Sequence, residues 1–300
     1  TNILEVIAGR IATELEREVL LAEAAAAQPW KEHLYQLERW HEEQPGWVLP
    51  CWEGWDIGLW KESHEAGWGE FFQWFPWGDQ WMGLAIGRVQ EQGLRAVLEA
   101  VRVRSALQAH RSSTLQPHRL LQQTYQTLWA SSVGDYRTSV WLGRLARQTG
   151  PHTADSQLIY ASAGRIGLLL LTSKGWKSLS EKSMLLGQPT WVSEPLGDAS
   201  SEEKTDVSKR MPKYRSRQRR LRRGEVLVIF PETEGVSDTQ SGGSPPASPL
   251  QEIEAQLAEH LRPHLHAPAP RLAELAQNFL QKAAREVGPL PKSLYVLKAR

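Results

Sequence analysis

From Trp52 onward the chain is built of short apolar runs separated by polar turns. WDIGLW, WMGLAIG, QLIYAS, GRIGLLLLTS, GEVLVIF and SLYVLK each have the length and side-chain content of a strand. SVWLGRLAR, Ser139 to Arg147, alternates like a strand, and with QLIYAS and GRIGLLLLTS it predicts an antiparallel meander. Helical spacing is found between these runs. Leu94 to Arg111 brings Leu94, Val97, Leu98, Val101 and Leu107 to one side. The next helix has Pro117 near its start, a favoured place, and runs to about Ala130. Two more helices cover about Leu250 to Leu261 and Arg271 to Val287. Helices thus come in adjacent pairs around a strand-rich middle, which predicts an α+β layered fold and not alternating βαβ units.

The first residues read differently. Leu4, Ile7, Ile11, Leu15 and Val19 recur at spacings of three and four between Asn2 and about Ala27, with Glu and Arg between them. A second short helix covers Trp30 to Glu43. The expected organisation is a helical segment over 1–45 and one larger domain over 46–300. The helix either packs on that domain or forms a coiled-coil-like contact with a sensor or a second copy, giving a homodimer.

Composition narrows the picture. Apolar residues make up 41% and charged residues 23%, ordinary values for a folded chain, and the formal net charge is +1. No global field points to nucleic acid or to an anionic membrane. The one cysteine, Cys51, excludes an internal disulfide and a cysteine-based zinc cluster. The longest apolar run, Ile166 to Thr172, is far short of the ~20 residues that span a bilayer. No basic stretch precedes an apolar core at the amino terminus, so cytoplasm is the expected compartment. Ten of the fourteen Trp fall between Trp30 and Trp81, and core packing is their expected role.

Five segments, in order, carry a resemblance: GWGEFF (Gly67 to Phe72), GRVQEQG (Gly87 to Gly93), LIYASAGR (Leu158 to Arg165), RRGEVLVIFPETEGVSD (Arg222 to Asp238) and LPKSLYVLK (Leu290 to Lys298). Together they resemble the metal-dependent PPM phosphatases, in the branch of bacterial serine phosphatases named for SpoIIE and RsbU. The resemblance covers about Trp52 to Leu297. It implies an αββα sandwich, two antiparallel sheets flanked by helices. It also implies two Mn or Mg ions, ~3.5–4 Å apart, that activate a water for attack on a phosphoserine.

Such ions want a ring of carboxylate oxygens. In the family these come from Asp residues of GGD, GDV, TDG and DD motifs. Carried over by position, the first Asp is Glu70, the second Arg88 and the third Glu234, while the terminal pair falls on Pro291 and Lys292. Motif glycines remain at Gly87, Gly93, Gly164 and Gly235, although Glu91 replaces one further glycine. A unit-charge pair 4 Å apart is worth roughly 4 kcal/mol at an effective dielectric constant of 20. Replacing Asp by Arg beside a dication therefore costs on the order of 10 kcal/mol as an upper bound. The resemblance thus implies a vestigial metal site. Glu70 and Glu234 are its residual acids, and Arg88 and Lys292 stand where cations would sit and pair with them.

Two further signals stand outside this resemblance. Nine Lys or Arg lie between Lys209 and Arg223, downstream of the acidic DASSEEKTD. The stretch from about 197 to 223 reads as an exposed, disordered insertion, with docking of an acidic protein or of nucleic acid as other uses. Only Tyr214 interleaves, so no stacking platform is evident. His260, His264 and His266 are interrupted by Pro263, which spoils a helical metal-binding face.

The leading expectation is a pseudophosphatase that acts in signalling and partner switching. It would bind a protein, including one phosphorylated on serine or threonine, without a cofactor and without a membrane. The other expectations are a residual Mn- or Mg-dependent serine/threonine phosphatase and an anion or nucleic-acid binding module.

Overall fold

A computed structural model describes residues 17–18, 32, 36, 49–61, 69–91, 93–130, 137–148, 155–187, 212–231, 249–287 and 293–300, the side chains of 182, 249–252 and 284–287 excepted. The chain divides into two units, Thr1–Gln44 and Pro45–Arg300. In the first, Arg17, Glu18, Glu32 and Gln36 are helical and exposed, and the remainder of the predicted amino-terminal helices lies outside the described residues. The second unit holds both sheets.

Its strands are β1 (Trp55–Lys61), β2 (Glu70–Pro76), β3 (Trp81–Val89), β4 (Thr138–Ala146), β5 (Asp155–Ala163), β6 (Arg165–Thr172), β7 (Gly175–Ser178), β8 (Glu181–Lys182), β9 (Arg217–Arg222), β10 (Val226–Pro231) and β11 (Ser293–Ala299). The helices are α1 (Gly93–His110), α2 (Pro117–Ala130), α3 (Pro249–Leu261) and α4 (Ala269–Val287). One sheet has the order β1-β11-β10-β6-β7, with β8 also on β6, and the other has β2-β3-β4-β5-β9. Both are antiparallel throughout.

Three apolar layers hold the unit together. Phe72, Ile86, Trp141 and Leu158 of one sheet meet Ile166, Leu168, Tyr295 and Leu297 of the other. The outer face of the β2–β9 sheet packs Phe71, Val89, Val140 and Ala161 against Ala96, Ala100 and Leu121 of α1 and α2. The outer face of the other sheet packs Leu169, Val228 and Val296 against Leu257 and Leu272 of α3 and α4. This unit is an αββα sandwich, as the layered pattern and the resemblance predict. Because β4 is covered on both faces, its residues are buried almost without break and polar alternation is lost.

Three local expectations change. The face of α1 that packs is Ala96, Val97, Ala100, Val103, Ala106 and Leu107, while Leu98 is 50% exposed. Alanines let the helix approach the sheet closely, so small residues and not the longest ones mark the buried stripe. The meander also breaks. β6 does not pair with β5 but crosses to the other sheet, where β10, β7 and β8 are its partners. The crossing is made at Gly164, whose φ of 75° suits glycine alone. A Cβ there would stand 2.5 Å from Leu185 Cδ2 and 2.6 Å from Ser139 Oγ. Finally, the stretch expected to be a disordered insertion is ordered at its end. Arg217–Arg222 forms β9 on the edge of β5, and Pro212 and Tyr214 are buried ahead of it. The alternation Arg219–Leu221, with Leu221 in the core between the sheets, supplies the strand signal that the charge run conceals.

Candidate functional site

The crossing at Gly164 decides which strand ends meet. β5 ends at Ala163 opposite Val140, and β6 begins two residues later, where Ile166 lies opposite Pro231 of β10. One end of the sandwich therefore collects the start of β2, the end of β3, the start of β4, the end of β10 and the start of β11. These are the places at which the sequence puts its candidate ligands.

Glu70 opens β2 and is directly opposite Arg88 near the end of β3. Residues two apart on a strand share a face. Phe72 and Ile86, the inner neighbours of Glu70 and Arg88, belong to the core between the sheets. Glu70 and Arg88 accordingly point into the sandwich. Arg88 Nη1 stands 3.6 Å from Glu70 Oε1, and the two side chains are 10% and 2% exposed. Gly87 is needed beside them because the Phe71 ring lies over its Cα, where a Cβ would strike the ring.

The opposite sheet supplies Ser293 and Tyr295, both buried completely, at the first and third positions of β11. The Tyr295 ring stacks on Phe72 at 5.3 Å between centroids. Burial pushes the Tyr295 phenol far above the ordinary tyrosine range, and the negative charge of Glu70 pushes the same way. The phenol is thus a fixed neutral group beside an ion pair. Neither residue was among the sequence candidates. The period-two pattern of SLYVLK, which puts Ser293, Tyr295 and Leu297 on one face, is the signal that could have found them.

Other candidates are placed as follows. Gly93 has φ of 70° at the start of α1, in open space. Glu91 precedes it and is partly exposed. Glu234, Gly235, Pro291 and Lys292 lie outside the described residues. Glu99 on α1 carries no motif in the sequence. It is buried, and Arg102 Nη1 donates to its Oε2 at 2.7 Å. Burial raises the Glu99 carboxyl, more than Arg102 lowers it.

A dinuclear centre needs several carboxylates around two dications. Among the described residues no three His, Cys, Asp or Glu side chains are grouped to hold a metal. Glu70 already faces a guanidinium inside the sandwich. The described donor set does not fit such a centre. His260, His264 and His266 stand in a row with ring centroids 6.4 and 6.5 Å apart, and His260 stacks on Phe279 at 5.3 Å. Among the described residues, no helix is long and apolar enough to cross a membrane.

Comparison with known proteins fits this geometry. The model of the family described as Stage II sporulation protein E (SpoIIE) matches residues 78–290. No curated protein matches the sequence. Among solved structures, the SiaA-PP2C domain of Pseudomonas aeruginosa superposes with a TM-score of 0.58 at 19% identity, over 92% of this chain and 98% of that one. The RsbU and RsbW domains of a Mycobacterium tuberculosis protein give 0.55 at 18% identity, over 84% of this chain and 63% of that one. The serine/threonine phosphatase of S. agalactiae gives 0.51 at 12% identity, over 82% of this chain and all of that one. At such identities the likeness is one of fold.

Proposed function

Since the chain belongs to the SpoIIE family, we propose that it is a phosphatase-like signalling domain that binds a protein partner and does not hydrolyse phosphate with metals. The observation that carries this reading is the ion pair of Arg88 with Glu70 inside the sandwich. A guanidinium is permanently charged and cannot step aside by losing a proton. It occupies a position that the family's pattern gives to a carboxylate, and it neutralises the carboxylate that remains. Dication binding is then opposed twice, once by repulsion and once by loss of a ligand.

The same groups suit recognition. Arg88 lies at the strand ends, and a phosphate on serine or threonine that displaces Glu70 would take its guanidinium as a charge-assisted donor. Lys292, next in the chain to Ser293, adds a second positive charge to the same stretch, and Glu234 an acid that such a cation could pair with. A site of this kind needs no cofactor. The likeness to a protein containing RsbU and RsbW domains supports a domain that works beside a second protein module. The segment 1–45 is the proposed relay or contact with a second copy.

The test is hydrolysis of a phosphoserine peptide with millimolar Mn, run on the parent, Arg88→Asp and Glu234→Ala. An inert parent, with Mn binding gained in Arg88→Asp, supports the reading. Turnover by the parent that Glu234→Ala abolishes overturns it and makes the protein a Mn- or Mg-dependent phosphatase. Phosphopeptide affinity that survives Arg88→Glu would remove Arg88 from the recognition site.

A further inference from the structure

β9 is the outermost strand of its sheet among the described residues. One of its sides pairs with β5 from Tyr160↔Arg217 to Asp155↔Arg222. An edge strand leaves alternate N–H and C=O groups directed outward, a ready template for one more strand. On and around this edge Lys213, Arg215, Arg217, Arg220, Arg222 and Arg223 are exposed. Beside it, on the open flank between the two sheets, is a cleft of about 220 Å³. Leu158, Leu170, Leu179 and Leu227 line the cleft, and Arg219, Arg220 and Arg222 line its β9 side. Arg217 pairs with Glu181 of β8 and so links the two sheets beside the opening.

We propose that β9 docks an extended acidic segment of a protein partner, which adds as a strand to this edge and places one apolar side chain in the leucine cleft. Three observations select that occupant. Positive charge along the edge repels a second copy of β9 and attracts carboxylates, so the device that guards the edge against self-pairing also chooses the partner. The backbone edge supplies directional hydrogen bonds, and the cleft supplies a pocket for an alternate side chain. Strand addition uses both. The surface is poorly suited to nucleic acid. Tyr214, the aromatic of the basic stretch, is buried, and Glu181 and Glu225 interrupt the cationic run. This surface is independent of the Arg88–Glu70 pair, and the proposal stands whether or not the domain hydrolyses phosphate.

The experiment is fluorescence anisotropy on the full chain with three labelled probes. They are a Glu-rich peptide of about ten residues with Val at alternate positions and a central Leu, long enough to cover an edge strand, the same peptide with Leu replaced by Ser, and an oligo-dT strand. Variants are Arg220→Glu/Arg222→Glu and Arg220→Lys/Arg222→Lys, both at exposed positions, with circular dichroism to verify folding. The acidic peptide is expected to bind, to weaken about tenfold or more with the Glu pair, and to weaken little with the Lys pair. The Ser peptide is expected to bind less well, and amide exchange along β9 to slow when the Leu peptide is present. Equal or tighter binding of oligo-dT, equal binding of the Ser peptide, or no peptide binding at low salt would each overturn the proposal.

Discussion

Glu70 and Arg88 face each other across β2 and β3 at 3.6 Å, inside the sandwich and nearly out of contact with solvent. Two opposite charges so placed stabilise each other, but each has lost its hydration. The balance for the pair against an apolar replacement is close to zero, whereas removal of one partner leaves a buried charge.

A double-mutant cycle reads this directly. Arg88→Met alone is expected to cost about 3–5 kcal/mol, because Glu70 is left buried without its cation. Glu70→Leu with Arg88→Met is expected to recover most of that loss. Urea denaturation of the four proteins gives the coupling energy. Single losses that simply add would mean the two charges do not sense each other.

Alkaline pH should expose Tyr295. Its phenol is raised in the folded state by burial and by Glu70. Above the ordinary tyrosine value near 10, the unfolded chain gives up this proton and the folded one keeps it. Fewer protons are then bound in the unfolded state, so stability falls as pH rises, by about 1.4 kcal/mol per unit for each such group. Tyr214 is raised in the same way, mainly by burial. Tyr295→Phe should remove one group's share of the slope. Stability measured between pH 9 and 11 with and without the substitution tests this, and an unchanged slope would refute it.

Gly164→Ala should be damaging at a site without charge. The residue turns the chain from one sheet to the other at φ of 75°, and a Cβ there would press on Leu185 and Ser139. Strain of at least about 2 kcal/mol is expected. For a domain of this size that lowers the melting temperature by roughly 4–8 °C. A melting curve that matches the parent would show the turn to be adaptable.

Arg144 is a buried cation away from the strand ends that carry Glu70 and Arg88. It is buried with its guanidinium 4.4 Å from the Trp81 ring centroid, and it donates to Trp77 O and Leu115 O, each at 3.3 Å. Lysine has neither the planar fork nor the flat face for this role. Arg144→Lys should cost about 1–3 kcal/mol and alter tryptophan emission, since Trp77 and Trp81 both lose their cation. Unchanged emission and stability would mean that the carbonyls and not the guanidinium set this corner.

The sequence by itself determined the layers. Strand runs with flanking helix pairs specified an α+β sandwich, because period two and period 3.6 each need an apolar partner surface. Motif order was enough to carry the family resemblance and to bring Glu70 and Arg88 forward as a mismatched pair of site positions. What only the tertiary structure decided was adjacency. The pairing of Glu70 with Arg88 depends on strand register, Tyr295 reaches them from the other sheet, and Gly164 decides which strand ends meet. β9 was hidden because local composition reports charge, whereas its burial of Leu221 depends on β5, some sixty residues earlier in the chain. The physical reason is the same in each case. Side-chain periodicity is a local property of the chain, but the free energy of a charge or an edge depends on neighbours that only long-range pairing supplies.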